Sequence, residues 1–264
     1  MWVVFTCFPG KTRDPVTIHT FFLQRSFPTA ISGTRMAFQQ EQQGIISPRV
    51  NGNMSGMDVP ALLEKAHHRM KVGRYDEAIS LYDQVLEINP NNTGALENKG
   101  KIYYYLGRHE DAIACYDKAI VINPNLITIW FEKGYTLRKI RRYQESIQCF
   151  DRALAIDPDY PFAIANKGYS LNELGRYAEA ITCFDKILEE SPKNIRAMTS
   201  KGIALRELGK NEDALAYFEK AIGLNPINSF VWYNKAIALR NLGRSKEADD
   251  AIRIVNLPQG PWKT

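Results

Sequence analysis

The chain has 264 residues, 45% hydrophobic and 24% charged, an ordinary globular balance long enough for one large domain or two small ones. Its 34 basic and 29 acidic residues leave a net charge of +5. A nucleic-acid binder carries a dominant basic stripe, which this mixed balance lacks, so no nucleic-acid partner is expected.

Residues 1–58 come first and carry no repeat. They hold Pro9, Pro15, Pro28 and Pro48 and a glutamine-rich run from Gln39 to Gln43. The apolar runs Trp2–Phe8 and Phe21–Leu23 fall far short of the ~20 residues that span a bilayer. No positive charge precedes Trp2, as a secretory signal would require, so no membrane partner is expected. The segment reads as a disordered extension, or as residues ahead of a natural start at Met54 or Met57. The stretch from Lys11 to Arg35, poor in acids and holding three arginines, has a faint transit-peptide composition.

The repeats follow. Asp58 is placed to cap a first helix with Pro60 in its opening turn. Pro90, Pro124, Pro158, Pro192 and Pro226 then recur 34 residues apart. Four more rows share that period. One is small: Ala66, Gly100, Gly134, Gly168, Gly202 and Ala236. One marks turns: Gly73, Gly107, Arg141, Gly175, Gly209 and Gly243. One is Ala78, Ala112, Ser146, Ala180, Ala214 and Ala248. The last is large and apolar: Tyr82, Tyr116, Phe150, Phe184, Phe218 and Ile252.

Each row has a physical role. Proline stops the preceding helix, and Asn91–Asn92, Asn125, Asp159 or Asn194 can cap the next one. The turn row supplies the left-handed residue that ends a first helix. Small residues admit close helix approach, and the large row fills the space between hairpins. The periodicity predicts six helix hairpins, at about 59–92, 93–126, 127–160, 161–194, 195–228 and 229–257, with 258–264 as a tail.

Repeat three reads Trp130, Gly134, Leu137, Tyr143, Ser146, Phe150, Pro158; repeat four reads Ile164, Gly168, Leu171, Tyr177, Ala180, Phe184, Pro192. These residues resemble the signature of the tetratricopeptide repeat family, over about three quarters of the chain. The resemblance implies an all-α fold, a right-handed α-solenoid of six helix-turn-helix repeats whose first helices line a concave face. It also implies a protein–protein interaction scaffold that binds an extended peptide or partner protein there. Self-assembly into a homo-oligomer is the alternative, because terminal repeats can stack end to end.

The family's groove positions fall on three sets of residues. Asn98, Asn166 and Asn234, with Glu132 and Ser200 between them, form a ladder whose amides could bond a peptide backbone. Phe131, Tyr135, Phe162, Tyr169, Phe230 and Tyr233 offer aromatic anchors or pack between first helices. Arg138, Asn172, Arg206 and Arg240 form a third row, with Arg196 nearby, whose arginines could clasp a carboxylate or pair with Glu173 or Glu207. The family's two-carboxylate clamp for chaperone tails needs lysines and asparagines in a fixed frame. Only Asn166 and a displaced Arg196 fit it, so no chaperone-tail ligand is expected.

A lysine stands before every small residue: Lys65, Lys99, Lys133, Lys167, Lys201 and Lys235. The family often has leucine there. These lysines read as packed stems with ammonium groups in water, or as a basic ladder. Cys115, Cys149 and Cys183 repeat 34 apart. That puts them one helix spacing from each other, beyond disulfide reach. Reduced thiols fit a cytoplasmic location. No phosphate loop, nucleophile elbow or metal cluster is present, so neither an enzyme nor a cofactor is expected.

Overall fold

The computed structural model describes residues 58–256, which form twelve helices and no strand. The expected extension at 1–58 and tail at 258–264 lie outside these residues, save Asp58. The helices pair as six hairpins: α1 (Val59–Lys71) with α2 (Tyr75–Ile88), α3 (Thr93–Tyr105) with α4 (His109–Ile122), and α5 (Ile127–Lys139) with α6 (Tyr143–Ile156). Then come α7 (Pro161–Glu173) with α8 (Tyr177–Glu190), α9 (Ile195–Glu207) with α10 (Asn211–Leu224), and α11 (Ser229–Asn241) with α12 (Ser245–Asn256). Each first helix packs on its own partner and on the second helix of the preceding hairpin. This is a helical repeat solenoid.

The turn row acts through backbone geometry. Gly73, Gly107, Gly175, Gly209 and Gly243 all have φ between 73° and 77°. Around Gly107, the Gly107 amide donates to Tyr104 O and the Arg108 amide to Tyr103 O, satisfying the last carbonyls of α3. Arg141 holds the same conformation, φ 63°, and the same two bonds close over it. Among the described residues it is the one non-glycine with positive φ.

Capping departs from the sequence reading. Asn92 and Asn194 accept backbone bonds from Ala95 and Ala197, at 2.9 and 3.0 Å. Asp58 sits at the N-cap of α1 without a side-chain bond, and Leu126 and Tyr160 occupy the caps of α5 and α7. Asn125 and Asp159 therefore do not cap. Their backbone amides instead donate to the side chains of Asn123 and Asp157, one residue before the proline. The same bond runs from Asn91 to Asn89 and from Ile227 to Asn225. A side chain that bonds the amide two residues on makes an Asx turn, which carries the chain around Pro90, Pro124, Pro158 and Pro226.

The core is a stack of rings against small residues. Tyr82, Tyr116, Phe150, Phe184 and Phe218 are fully buried. Each buried ring contributes about 1.5–3 kcal/mol. A Cβ at Gly134 would lie 2.8 Å from Phe150 Cε1, and one at Gly202 2.6 Å from Phe218 Cε1. Here the absence of a side chain, not backbone freedom, is what the glycine supplies.

The lysine row joins neighbouring hairpins. Lys99 pairs with Asp83, Lys133 with Asp117, Lys167 with Asp151, Lys201 with Asp185 and Lys235 with Glu219. Every acid sits on the second helix of the hairpin before. The ammonium groups thus meet a carboxylate rather than water alone, which corrects the sequence reading. The next position in the acid row is Arg253, which pairs within α12 to Asp250.

Candidate functional site

Residues three or four apart share a helix face. That spacing lines Phe131, Tyr135 and Arg138 along α5, and Phe162, Asn166 and Tyr169 along α7. Arg196 lies on α9; Phe230 and Asn234 lie on α11, with Tyr233 adjoining. Successive first helices touch, so these residues form neighbouring columns.

Four of the six expected aromatics come together. Phe131 stacks on Tyr135 at 6.0 Å between centroids and lies 6.2 Å from Phe162. Tyr135 also meets Tyr104 of α3 at 5.6 Å, and Tyr160 stands edge-on to both Phe131 and Phe162. Tyr169 packs on Phe184 at 5.6 Å, and Arg138 bridges it to the group. The Arg138 guanidinium lies 5.2 Å from the Tyr135 centroid and 5.9 Å from that of Tyr169. Arg196 lies 5.5 Å from the same Tyr169 ring. Phe230 and Tyr233 make no ring contact among the described residues. They stand 58% and 51% exposed, and Phe162 61%.

The arginines divide. Arg206 donates to Asn234 Oδ1 at 2.7 Å and pairs with Glu207 at 2.5 Å. Arg240 pairs with Asp249 at 3.2 Å. Arg138 and Arg196 have no carboxylate partner among the described residues. The anticipated acid, Glu173, accepts from the Tyr143 hydroxyl instead. Arg138 Nε is buried and bonded to nothing.

The asparagines are turned into their own helices. Asn98, Asn166 and Asn234 each donate from Nδ2 to the carbonyl four residues back, at 2.8, 2.8 and 2.7 Å. Asn98 also meets His67 Nε2, and Asn234 Oδ1 is taken by Arg206. Asn166 and Asn234 are buried, at 8% and 4% exposure. These bonds take one Nδ2 hydrogen of each amide and, in Asn234, the Oδ1 as well.

Sequence reasoning missed a charged cluster beside the aromatics. Lys101 bonds Glu97 at 2.6 Å and reaches Glu132 at 3.7 Å. Burial pushes the Glu132 carboxyl above the ordinary range, with Lys101 opposing it. Burial, the largest single influence on Lys101, would lower it, but the hydrogen bonds and charges of Glu97 and Glu132 together outweigh that and leave it raised. Tyr104 was missed as well, although it stands 34 residues before Arg138 and so opens that row. Among the described residues no group of side chains could hold a metal ion, and no helix is long and apolar enough to cross a membrane.

Family models match most of the chain. A model described as TPR repeat covers residues 67–106 and 100–140, and models described as tetratricopeptide repeat cover 127–160, 160–226 and 199–261. No curated protein matches. Among solved structures, a crystal structure of MamA protein aligns with TM-score 0.60 at 28% identity, over 64% of this chain and 92% of its own. A tetratricopeptide repeat protein from Parabacteroides merdae aligns at 0.69 and 22%, over 77% and 80%. YrrB, described as a TPR protein with an unusual peptide-binding site, aligns at 0.62 and 21%, over 67% and 92%. At those identities the last two share the fold.

Proposed function

We propose that this chain, which belongs to the tetratricopeptide repeat family, holds one extended peptide of a partner protein along its first helices. The repeat build is that of a protein-interaction scaffold. The observation that carries the finer reading is the aromatic run from Tyr104 through Tyr135 and Phe131 to Phe162. Phe230 and Tyr233, two repeats beyond Phe162, stand exposed apart from that run. An aromatic side chain buries about 150–250 Å² in all, of which Phe162, Phe230 and Tyr233 keep more than half to give, and such rings dominate interface energetics. The unbonded Cys115, Cys149 and Cys183 fit a reducing compartment such as the cytoplasm.

The test is a random peptide library displayed on phage and selected on the full chain, with winners titrated against Phe162→Ala and Phe230→Ala. Both rings are more than half exposed, so the fold should survive. Each substitution is expected to weaken binding about tenfold or more. Selected peptides that bind both variants as tightly as the wild type would refute the reading.

A further inference from the structure

We propose that the occupant of this face is an acidic peptide, whose anion is shared by Arg138 and Arg196 above the ring of Tyr169. The proposal rests on the peptide reading above and names the chemistry of its ligand.

Two guanidinium groups lie within 6 Å of one ring centroid, at 5.9 and 5.5 Å. Neither forms an ion pair with a carboxylate among the described residues. Arg206 and Arg240, one and two repeats on from Asn172 in the same row, show the contrast: both are neutralised within the chain. Arg138 additionally keeps a buried Nε–H without an acceptor. A buried donor left unsatisfied is costly. A guanidinium over a ring uses its flat face there and leaves its N–H edge free for a carboxylate or phosphate. An anion between Arg138 and Arg196 would offset their charge and bond the terminal N–H groups that face away from the ring.

Charge along the face fixes where the acid goes. Toward α3, Glu97 and Glu132 outnumber Lys101, their shared partner, and would repel a second acid. Toward α9 the unpaired arginines attract one. Spacing sets the ligand's pattern. Phe162, Arg196 and Phe230 hold the same repeat position on α7, α9 and α11, 34 residues apart. Packed helices lie roughly 8–10 Å apart, and an extended chain advances about 3.3 Å per residue. One repeat therefore spans about three ligand residues. The favoured peptide carries an acid with apolar residues about three positions to either side.

The same phage library, selected in parallel on the full chain and on its Arg138→Gln and Arg196→Gln variants, tests this. Arg196 is exposed, so its variant keeps the test valid if Arg138→Gln misfolds. The expected result is enrichment of aspartate or glutamate on the wild type, flanked by apolar residues at that spacing. Changing the acid to its amide in a synthetic winner should weaken binding about tenfold, and Arg196→Gln should abolish the difference. Winners with an internal acid are compared with peptides whose only anion is the C-terminal carboxylate. Preference for the internal acid supports the proposal; preference for the C-terminal carboxylate overturns it. Winners that depend on Phe162 and Phe230 but show no acid preference overturn the seat and leave the peptide reading standing. A selection yielding no peptide that depends on those rings overturns both.

Discussion

The ammonium of Lys133 lies 2.5 Å from Oδ1 of Asp117, sixteen residues back on the preceding hairpin. The same pairing recurs at four other joints. The lysine end is largely covered and the acid end about half exposed, so solvent screens the pair and limits its worth. A double-mutant cycle with Lys133→Met and Asp117→Asn, followed by urea unfolding, is expected to give a coupling of about 0.5–1 kcal/mol. Additive effects would show that the pair contributes nothing beyond its separate residues.

Arg141 carries a side chain where the other five turns have glycine. An L-residue in the left-handed region costs about 1–2 kcal/mol. Arg141→Gly should therefore raise stability by roughly 1 kcal/mol, after the added freedom of glycine in the unfolded chain is subtracted. A thermal melt checks this, and an unchanged or lower midpoint counts against it.

Burial pushes the Cys149 thiol up to about 11. The folded state prefers the neutral thiol, while the unfolded chain ionises near the ordinary value of 9.0. Stability from this group is whole below pH 9 and is lost as pH rises from 9 toward 11. At about 1.4 kcal/mol per unit the loss reaches some 2–3 kcal/mol. Denaturation of Cys149→Ala across that window should show a shallower decline than the wild type.

Arg138 holds an unsatisfied buried N–H, so a residue of similar length without charge should suit the empty protein. Arg138→Met is expected to leave the midpoint of thermal unfolding unchanged or raise it, while weakening any acidic peptide about tenfold. A stability loss above about 2 kcal/mol would mean that Arg138 serves the fold instead.

The 34-residue rows made the hairpins legible, because a residue's place in a repeat fixes its backbone conformation and burial. Arg141 shows how far this goes: its φ follows from its row, not from its identity. Long side chains are different. Lys133 takes one acid, Arg206 an amide and an acid, and Arg138 no carboxylate among the described residues, a choice of rotamers that periodicity does not encode. The acids Asp83, Asp117, Asp151, Asp185 and Glu219 were visible as a row. Their partnership was hidden because it crosses from one hairpin to the next. The asparagine ladder illustrates the reverse case: the right residues recur, but each amide bonds a carbonyl one turn back in its own helix.

The joints have a direction. Each hairpin offers a carboxylate forward and a lysine backward, and the forward position on α12 is held by Arg253. Lys65, the lysine of the first hairpin, stands exposed. Two copies joined tail to head through this same contact would bring Lys65 of one against Arg253 of the other, cation against cation. A tail-to-head joint of that kind would therefore lack the ion pair that the five internal joints share.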